Sequence, residues 1–489
     1  VVFVRADAPA GGDGSRAAPY QTLVEAAAST ADGEVVALAV GRYDGRVEVD
    51  GALTVIGACA EGVVLVRTDG AGGLPIVNIV RDGSLDIRDV TLRSERQARL
   101  LAMFADITIR DSVFDGVGIV HFGGSVTIED VRFGGVADDT LALVSVSGAD
   151  DARVSRVVIR DTNVGALTVI ANDSVAVSDL AVTSCDGIGV QLTSNGGLTA
   201  ERVVVEDSED LGITLDGRVT GEDLLVRGVR TGTGRTAGIS SIDDADLTRV
   251  RVEDAGDVAL SLVEGTASVR DLVLFGGRGG SEYERGLELG DGVNATLSRV
   301  AVAAVNDLAF LVSGEGTSLD LSDALVDDVA SGPGGGFGRC IHAQLGAAAS
   351  THRTRFTRCR EAAVTASTGA SVLMRDALVD RVLPLGCSSA DCPDAQAGIG
   401  FVALEGEGVI DVERFVVSEA ALAGVQVIAG GEIDLHDGTI RNNPVGINVQ
   451  VDGYDIGRLM DRVVFEDNGL NLDSSELPVP AATATMTVP

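Results

Sequence analysis

Two stretches of this chain, ADLTRVRVED at 245–254 and ASVRDLVLFG at 267–276, carry one pattern. Apolar residues fall at Leu247, Val250 and Val252, and again at Val269, Leu272 and Leu274, with the alternation broken once by a charged residue. That residue is Arg249 in the first stretch and Asp271 in the second. The same unit surrounds Asp89 (LDIRDVTL), Asp111 (ITIRDSVF) and Asp130 (VTIEDVRF), and it continues to IDLHDGTI around Asp437, at intervals of 19 to 30 residues with one of 38. A second short apolar stretch near a glycine follows, as in GIGVQL, LGITL, GLEL and VGINV. A strand of this length cannot bury a face alone, and a period near 22–25 residues means stacked, equivalent turns. Helical periodicity is missing over the same region. The chain therefore reads as all-β, a parallel β-solenoid of about 16–18 turns whose repeated Val, Leu and Ile point inward.

From Asp130 onward the anchors run Asp130, Arg156, Asp179, Arg202, Asp223, Arg249, Asp271, Arg299, Asp323, Arg353, Asp376, Arg414, Asp437 and Arg462, alternating in sign without exception. Stacking sets each anchor over its equivalent, where like charges repel and opposite charges attract. Exposed ion pairs add little stability, so the expected role of this structural ladder is register, since a slip of one turn would oppose like charges. The intervals alternate too. Steps from Asp to Arg take 26, 23, 26, 28, 30, 38 and 25 residues, whereas steps from Arg to Asp take 23, 21, 22, 24, 23 and 23. The unit is thus a two-turn repeat, one turn compact and one carrying a loop. The insertions at 227–238, 275–286, 327–338 and 380–398 should emerge from one corner.

Composition agrees and excludes several functions. There is no tryptophan and only 16 Phe plus Tyr, so the core must be built from small and branched aliphatics. A formal charge of −36, with all 37 basic residues arginine, argues against nucleic acid or an anionic membrane as partner. Acidic polysaccharides meet the same field unless a divalent cation bridges them. No apolar run is long enough to span a membrane. Of six cysteines, Cys387 with Cys392 could close a local bridge, as could Cys340 with Cys359 if their segments stack, and either would imply an oxidising compartment. Cys59 and Cys185 read as buried free thiols.

The N-terminal residues VRADAPAGGDGSRAAPYQTLVEAAAS lead through Pro19, Tyr20 and Thr22 to a short apolar stretch, then to Gly41, Tyr43 and Gly57. This opening, with the repeat that follows, resembles secreted right-handed parallel β-helix proteins of the pectin-lyase-like superfamily, over residues 1 to about 470. Pro19 suits a helix start, and a helix there would cover the end of the stack. The resemblance implies a right-handed parallel β-helix with a short N-terminal capping helix: residues 1–34 as the cap, 35–470 as the β-helix and 471–489 as a Pro/Thr/Ala-rich tail, a linker or an arm for a neighbour. It implies a secreted or cell-surface protein. It does not choose an activity, because the superfamily holds lyases, hydrolases, epimerases, tailspikes and adhesins.

The enzymes of that superfamily carry motifs missing here: a W-x-D-H segment, NTD with GHG, DPHD, or a catalytic lysine. Adjacent carboxylates such as Asp138–Asp139, Asp150–Asp151, Asp243–Asp244 and Asp327–Asp328 read first as solvated turns. His121 and His342 fall on second strands, where alternation points them outward. The second-strand row Thr168, Gln191, Thr214, Ser261, Glu288, His342, Thr365, Gln426 and Asn448 would then form a polar outer face able to lie along a glycan. Binding candidates are Arg235, Arg278, Tyr283, Glu284 and Phe337 at the corner loops, with Gln191 and His342 on the row. The expected function is a non-catalytic scaffold or adhesive protein that meets a surface glycan or protein partner through loops on one corner, with no catalytic residue assigned. The alternative is a calcium-assisted polysaccharide lyase or epimerase acting on uronate glycans. No cofactor is required, and calcium is the ion the many Asp-Gly turns could take.

Overall fold

The computed structural model describes residues 1–44, 46–67, 75–79, 83–135, 142–230, 235–276, 284–332, 337–385 and 397–486, apart from the side chains of 95–97. They form two units, Val1–Thr220 and Gly221–Pro489. Within each, strands pair in parallel with their equivalents one turn away, which is the architecture of a parallel β-solenoid.

In-register stacking turns each repeat position into a column. In the second unit, Leu247, Val269, Leu297, Leu321, Thr351, Met374, Val412 and Leu435 lie one upon the next, all buried. The adjacent inward column ends in Phe415 beneath Gly438. A Cβ on Gly438 would fall 2.1 Å from the Phe415 ring, so the ring fits only because its stacked neighbour has no side chain. The two polar members of these columns, Thr351 and Thr354, face each other with hydroxyls 3.4 Å apart.

The break in alternation has a backbone cause. All sixteen anchors from Asp89 to Arg462 adopt the left-handed conformation, with φ between 47° and 57°. Pairing skips the anchor: Thr248 pairs with Arg270 and Val250 with Leu272, and the chain turns a corner between them. Aspartate tolerates this region, but arginine pays for its Cβ there. Seven positions accept that cost, so the charge is what the site selects.

The charges pair in one direction. Arg202 reaches back to Asp179 through Nε at 2.6 Å and Nη2 at 2.9 Å, and Arg353 reaches Asp323 at 2.6 and 2.7 Å. Arg156, Arg249, Arg299, Arg414 and Arg462 make the same two-pronged contact with Asp130, Asp223, Asp271, Asp376 and Asp437. The ladder is therefore a set of discrete bidentate pairs, each clamping the ends of one Asp-to-Arg step. The guanidinium beside Asp376 pulls its carboxyl down to about 2.

At the N-terminus the helix Leu23–Ser29 starts after Thr22, not at Pro19. Thr22 and Glu25 form a reciprocal capping box, while Leu23 and Ala26 turn inward. Cys340 and Cys359 form a disulfide with Cα atoms 5.7 Å apart. Cys387 and Cys392 lie outside the described residues. Cys185 is a buried thiol, but Cys59 is exposed, because it sits in the turn after the strand Ala52–Gly57 rather than on an inward column.

Replacing Arg299 by Asp sets three carboxylates at successive stacked corners. The variant should unfold at lower urea than the parent in low salt, and the gap should shrink at 1 M NaCl as the charges are screened. A gap that does not depend on salt would remove the electrostatic account of the ladder.

Candidate functional site

First strands alternate buried and exposed residues, as in Ala245–Glu253, but second strands do not. In Arg285–Gly290, Leu308–Ser313, Arg339–Gln344, Ala362–Ser367, Ile399–Leu404 and Ala423–Ile428 every residue is buried. One face packs into the solenoid. Over much of the outward face runs the chain's own tail, residues 475–486.

The tail is held by side chains of the outward face. Asn448 donates to the Ser475 carbonyl at 3.0 Å, Gln450 to Leu477 at 3.2 Å and Gln426 to Pro478 at 3.2 Å. Arg339 donates to the Ala481 carbonyl at 2.7 Å, and His342 Nε2 lies 3.1 Å from the Ala482 carbonyl. Gln344 closes a two-way contact, donating to the Ala484 carbonyl at 2.6 Å and accepting from its N–H at 2.7 Å. Leu477 and Ala482 pack on Ile399, Val402 and Leu404, and Met486 and Ala484 on Leu308 and Leu311.

The expected open polar face is thus a covered one. Glu288, His342, Thr365, Gln426 and Asn448 are each fully buried, as is His121, whose Nε2 lies 2.8 Å from the Ala105 carbonyl. Alternation placed Glu288, His342, Thr365, Gln426 and Asn448 on the outward side correctly, but the residues that cover them come from far along the chain. Ser261 is buried as well, whereas Gln191 and Thr168 in the first unit remain half-buried.

Beneath the tail lies a second set of charges, in antiphase to the corner ladder. Arg285 meets Asp307 and Glu288, and Arg339 meets Glu361 at 2.6 Å. Each arginine follows a loop insertion and pairs with a carboxylate of the next, compact turn. Thr236 does the same with Asp257, through its backbone N–H at 2.8 Å. Both guanidinium groups are wholly buried, so each depends on its partners. Phe337, half-buried, stacks its ring 4.7 Å from the Arg339 guanidinium. His342 is held neutral, its pKa driven well below the usual value by burial and then by Arg339. Burial raises Asp307 to about 6, against the opposing pull of Arg285.

Of the corner-loop candidates, Arg235 is exposed and Glu284 is buried, with its carboxylate accepting from Asn306. Arg278 and Tyr283 lie outside the described residues, as do Asp138 and Asp139. No group of three or more potential metal ligands occurs among the described residues.

An open site that the sequence reading did not single out lies on the first-strand sheet of Val1–Thr220. A groove of about 510 Å³ is lined by Arg110, Thr127, Glu129, Arg153, Ser178 and Thr199, among others. Register explains it: Thr127, Arg153, Ala176 and Thr199 form one outward column, and Arg110, Glu129, Ser155, Ser178 and Glu201 form the next. Arg156 and Arg110 both bind Glu129 and hold its carboxyl below the usual range. Arg153 is exposed and makes no ion pair among the described residues. Its only sequence signal was an arginine at an outward position outside the anchor series.

The raised pKa of Asp307 has a definite sign. A carboxyl that binds its proton more tightly when folded stabilises the fold most below its unfolded pKa of about 4, and that contribution is lost as pH rises through about 6. The expected loss between pH 4 and 7 is up to about 3 kcal/mol, the pull of Arg285 being already contained in the shift. Asp307→Asn has no proton to lose, so its urea midpoint should vary less than the parent's between pH 5 and 7. Parallel pH profiles for parent and variant would contradict the assignment.

No family model and no curated protein sequence matches the chain. Among solved structures it is similar to an alginate lyase of the PL6 group in complex with a trisaccharide, at 12% identity and a TM-score of 0.30, over 98% of this chain and 89% of that one. It is similar to a pectin methylesterase from carrot, at 14% identity and a TM-score of 0.26, over 50% and 82%. A third is the A-module of a mannuronan C-5 epimerase from Azotobacter vinelandii, at 12% and 0.24, over 88% and 98%. Scores of this size say nothing of activity, and the solenoid is established by the strand pairings themselves.

Proposed function

We propose that the protein is a non-catalytic binding scaffold, secreted or displayed on a cell surface, whose first-strand groove takes an extended glycan bearing uronate groups. The observation that carries this reading is Arg153, an exposed guanidinium without an ion pair among the described residues, lining an open groove with Thr127, Ser178 and Thr199. Its planar fork suits a carboxylate, and the flanking hydroxyls suit sugar hydroxyls. What argues against catalysis is the state of the neighbours. Glu129 is kept ionised by Arg156 and Arg110, and no histidine, tyrosine or cysteine lines the groove among the described residues. A base poised near neutral pH is therefore missing from the lining. The protein's overall negative charge opposes an acidic polymer at long range, so calcium, bridging carboxylates, belongs in the reading as an assisting ion.

A second reading, that the corner loops meet a protein partner, draws support from the pinning of their exits by Thr236–Asp257, Arg285–Asp307 and Arg339–Glu361. Its contact residues would be Arg235, Arg278, Tyr283 and the ring of Phe337.

The test is affinity electrophoresis with polygalacturonate, alginate and a neutral glucan, with calcium and then EDTA, alongside absorbance from unsaturated uronides. Retardation by the acidic polymers alone, weakened about tenfold or more by Arg153→Ala, is the expected result. Rising absorbance would replace this reading with the calcium-assisted lyase. Equal retardation of parent and Arg153→Ala would move the function away from the groove.

A further inference from the structure

The covered face has the makings of a recognition site whose present occupant fits it incompletely. Contacts to the tail are made almost wholly to main-chain carbonyls, from Asn448, Gln450, Gln426, Arg339 and Gln344. Such contacts read an extended backbone and tolerate sequence, and the small side chains Ala481, Ala482 and Ala484 ask for little more. Two groove atoms are left over. Gln426 donates to the Pro478 carbonyl while its Oε1 is buried without a partner among the described residues, and Thr365 Oγ1 is likewise buried and unpartnered there. A buried acceptor without a donor carries a desolvation cost that a native structure rarely leaves standing. Pro478, the tail residue that Gln426 meets, has no N–H to offer that oxygen, and neither has Pro480 two residues on.

We propose that the tail is a displaceable placeholder in a groove that accepts an extended polypeptide segment of a protein partner, one offering backbone N–H groups where the tail has prolines. The tail of a second copy is not that segment, since it carries the same prolines and would leave the same atoms unpaired. The proposal concerns the second unit and does not depend on glycan binding at Arg153.

The experiment uses the full chain with a protease site introduced between Ser474 and Ser475, cleaved after folding so that the tail is held by the groove alone. Two labelled peptides are added: the tail sequence SELPVPAATATM and the same sequence with both prolines changed to alanine. The alanine peptide should bind about fivefold or more tighter, the gain from two hydrogen bonds being partly offset by its greater freedom. Gln344→Ala should weaken both peptides, and Gln426→Met should narrow the difference between them. Equal or tighter binding of the proline peptide would overturn the proposal, as would failure of both peptides to enter. If the inserted site prevents folding, the uncut chain carrying Pro478→Ala and Pro480→Ala serves instead. Amide hydrogen exchange across residues 475–486 should then slow relative to the parent, and unchanged exchange would overturn the proposal equally.

Discussion

In-register parallel stacking is the constraint from which the other features of this protein follow. A position repeated from turn to turn sits on itself about 4.8 Å away, so any property it carries is multiplied along the column. An apolar residue gains from this and a charge does not. The corner between the two apolar pairs must be left-handed, which favours Asp, yet a column of aspartates alone would repel. Alternation with arginine resolves the conflict at the cost of placing seven arginines in a backbone region they disfavour. Bulk obeys the same rule, as Phe415 and Gly438 show.

The direction of the pairs ties electrostatics to loop placement. Each corner arginine reaches back across its Asp-to-Arg step, even where that step is 38 residues, from Asp376 to Arg414. Loops interrupt stacking and loosen the geometry between successive anchors, and a planar two-pronged contact restores it. Where a loop re-enters the solenoid at Arg285 or Arg339, the next compact turn supplies a carboxylate. These inner pairs are buried, and they are complete only with the tail carbonyls in place. The Cys340–Cys359 disulfide stands beside one such exit.

These two sets of charges separate the polar surfaces by availability. In Gly221–Pro489 the second-strand face is rich in hydrogen-bonding groups, but most of those that bond outward are spent on the tail. The first-strand groove is poorer in polar variety but open, and its charges are mutually satisfied apart from Arg153. In that groove Glu129 is already neutralised by two arginines, which is the arrangement on which the proposed ligand-holding role rests.

The repeat made much of this legible without coordinates. Period, alternation and the sign of each anchor identified a parallel solenoid, its inward columns and its loop-bearing turns, because these depend on residues near in sequence and on their copies one turn away. The Cys340–Cys359 bridge was open to the sequence only as one that could close if the two segments stacked, which they do. What the sequence could not convey was which outward face would be covered. Gln426 and Asn448 look like solvent-facing residues in any local reading, and the segment that buries them begins only at Ser475, with no periodicity to mark its path. Arg153 was hidden for the opposite reason, being an outward arginine among many until the register set it in one column with Thr127 and Thr199, beside a column whose Glu129 is already held by two arginines. Local pattern determined the stack, and tertiary structure alone decided which of its surfaces stayed in contact with water, because burial there is imposed by a distant, aperiodic segment rather than by the repeat.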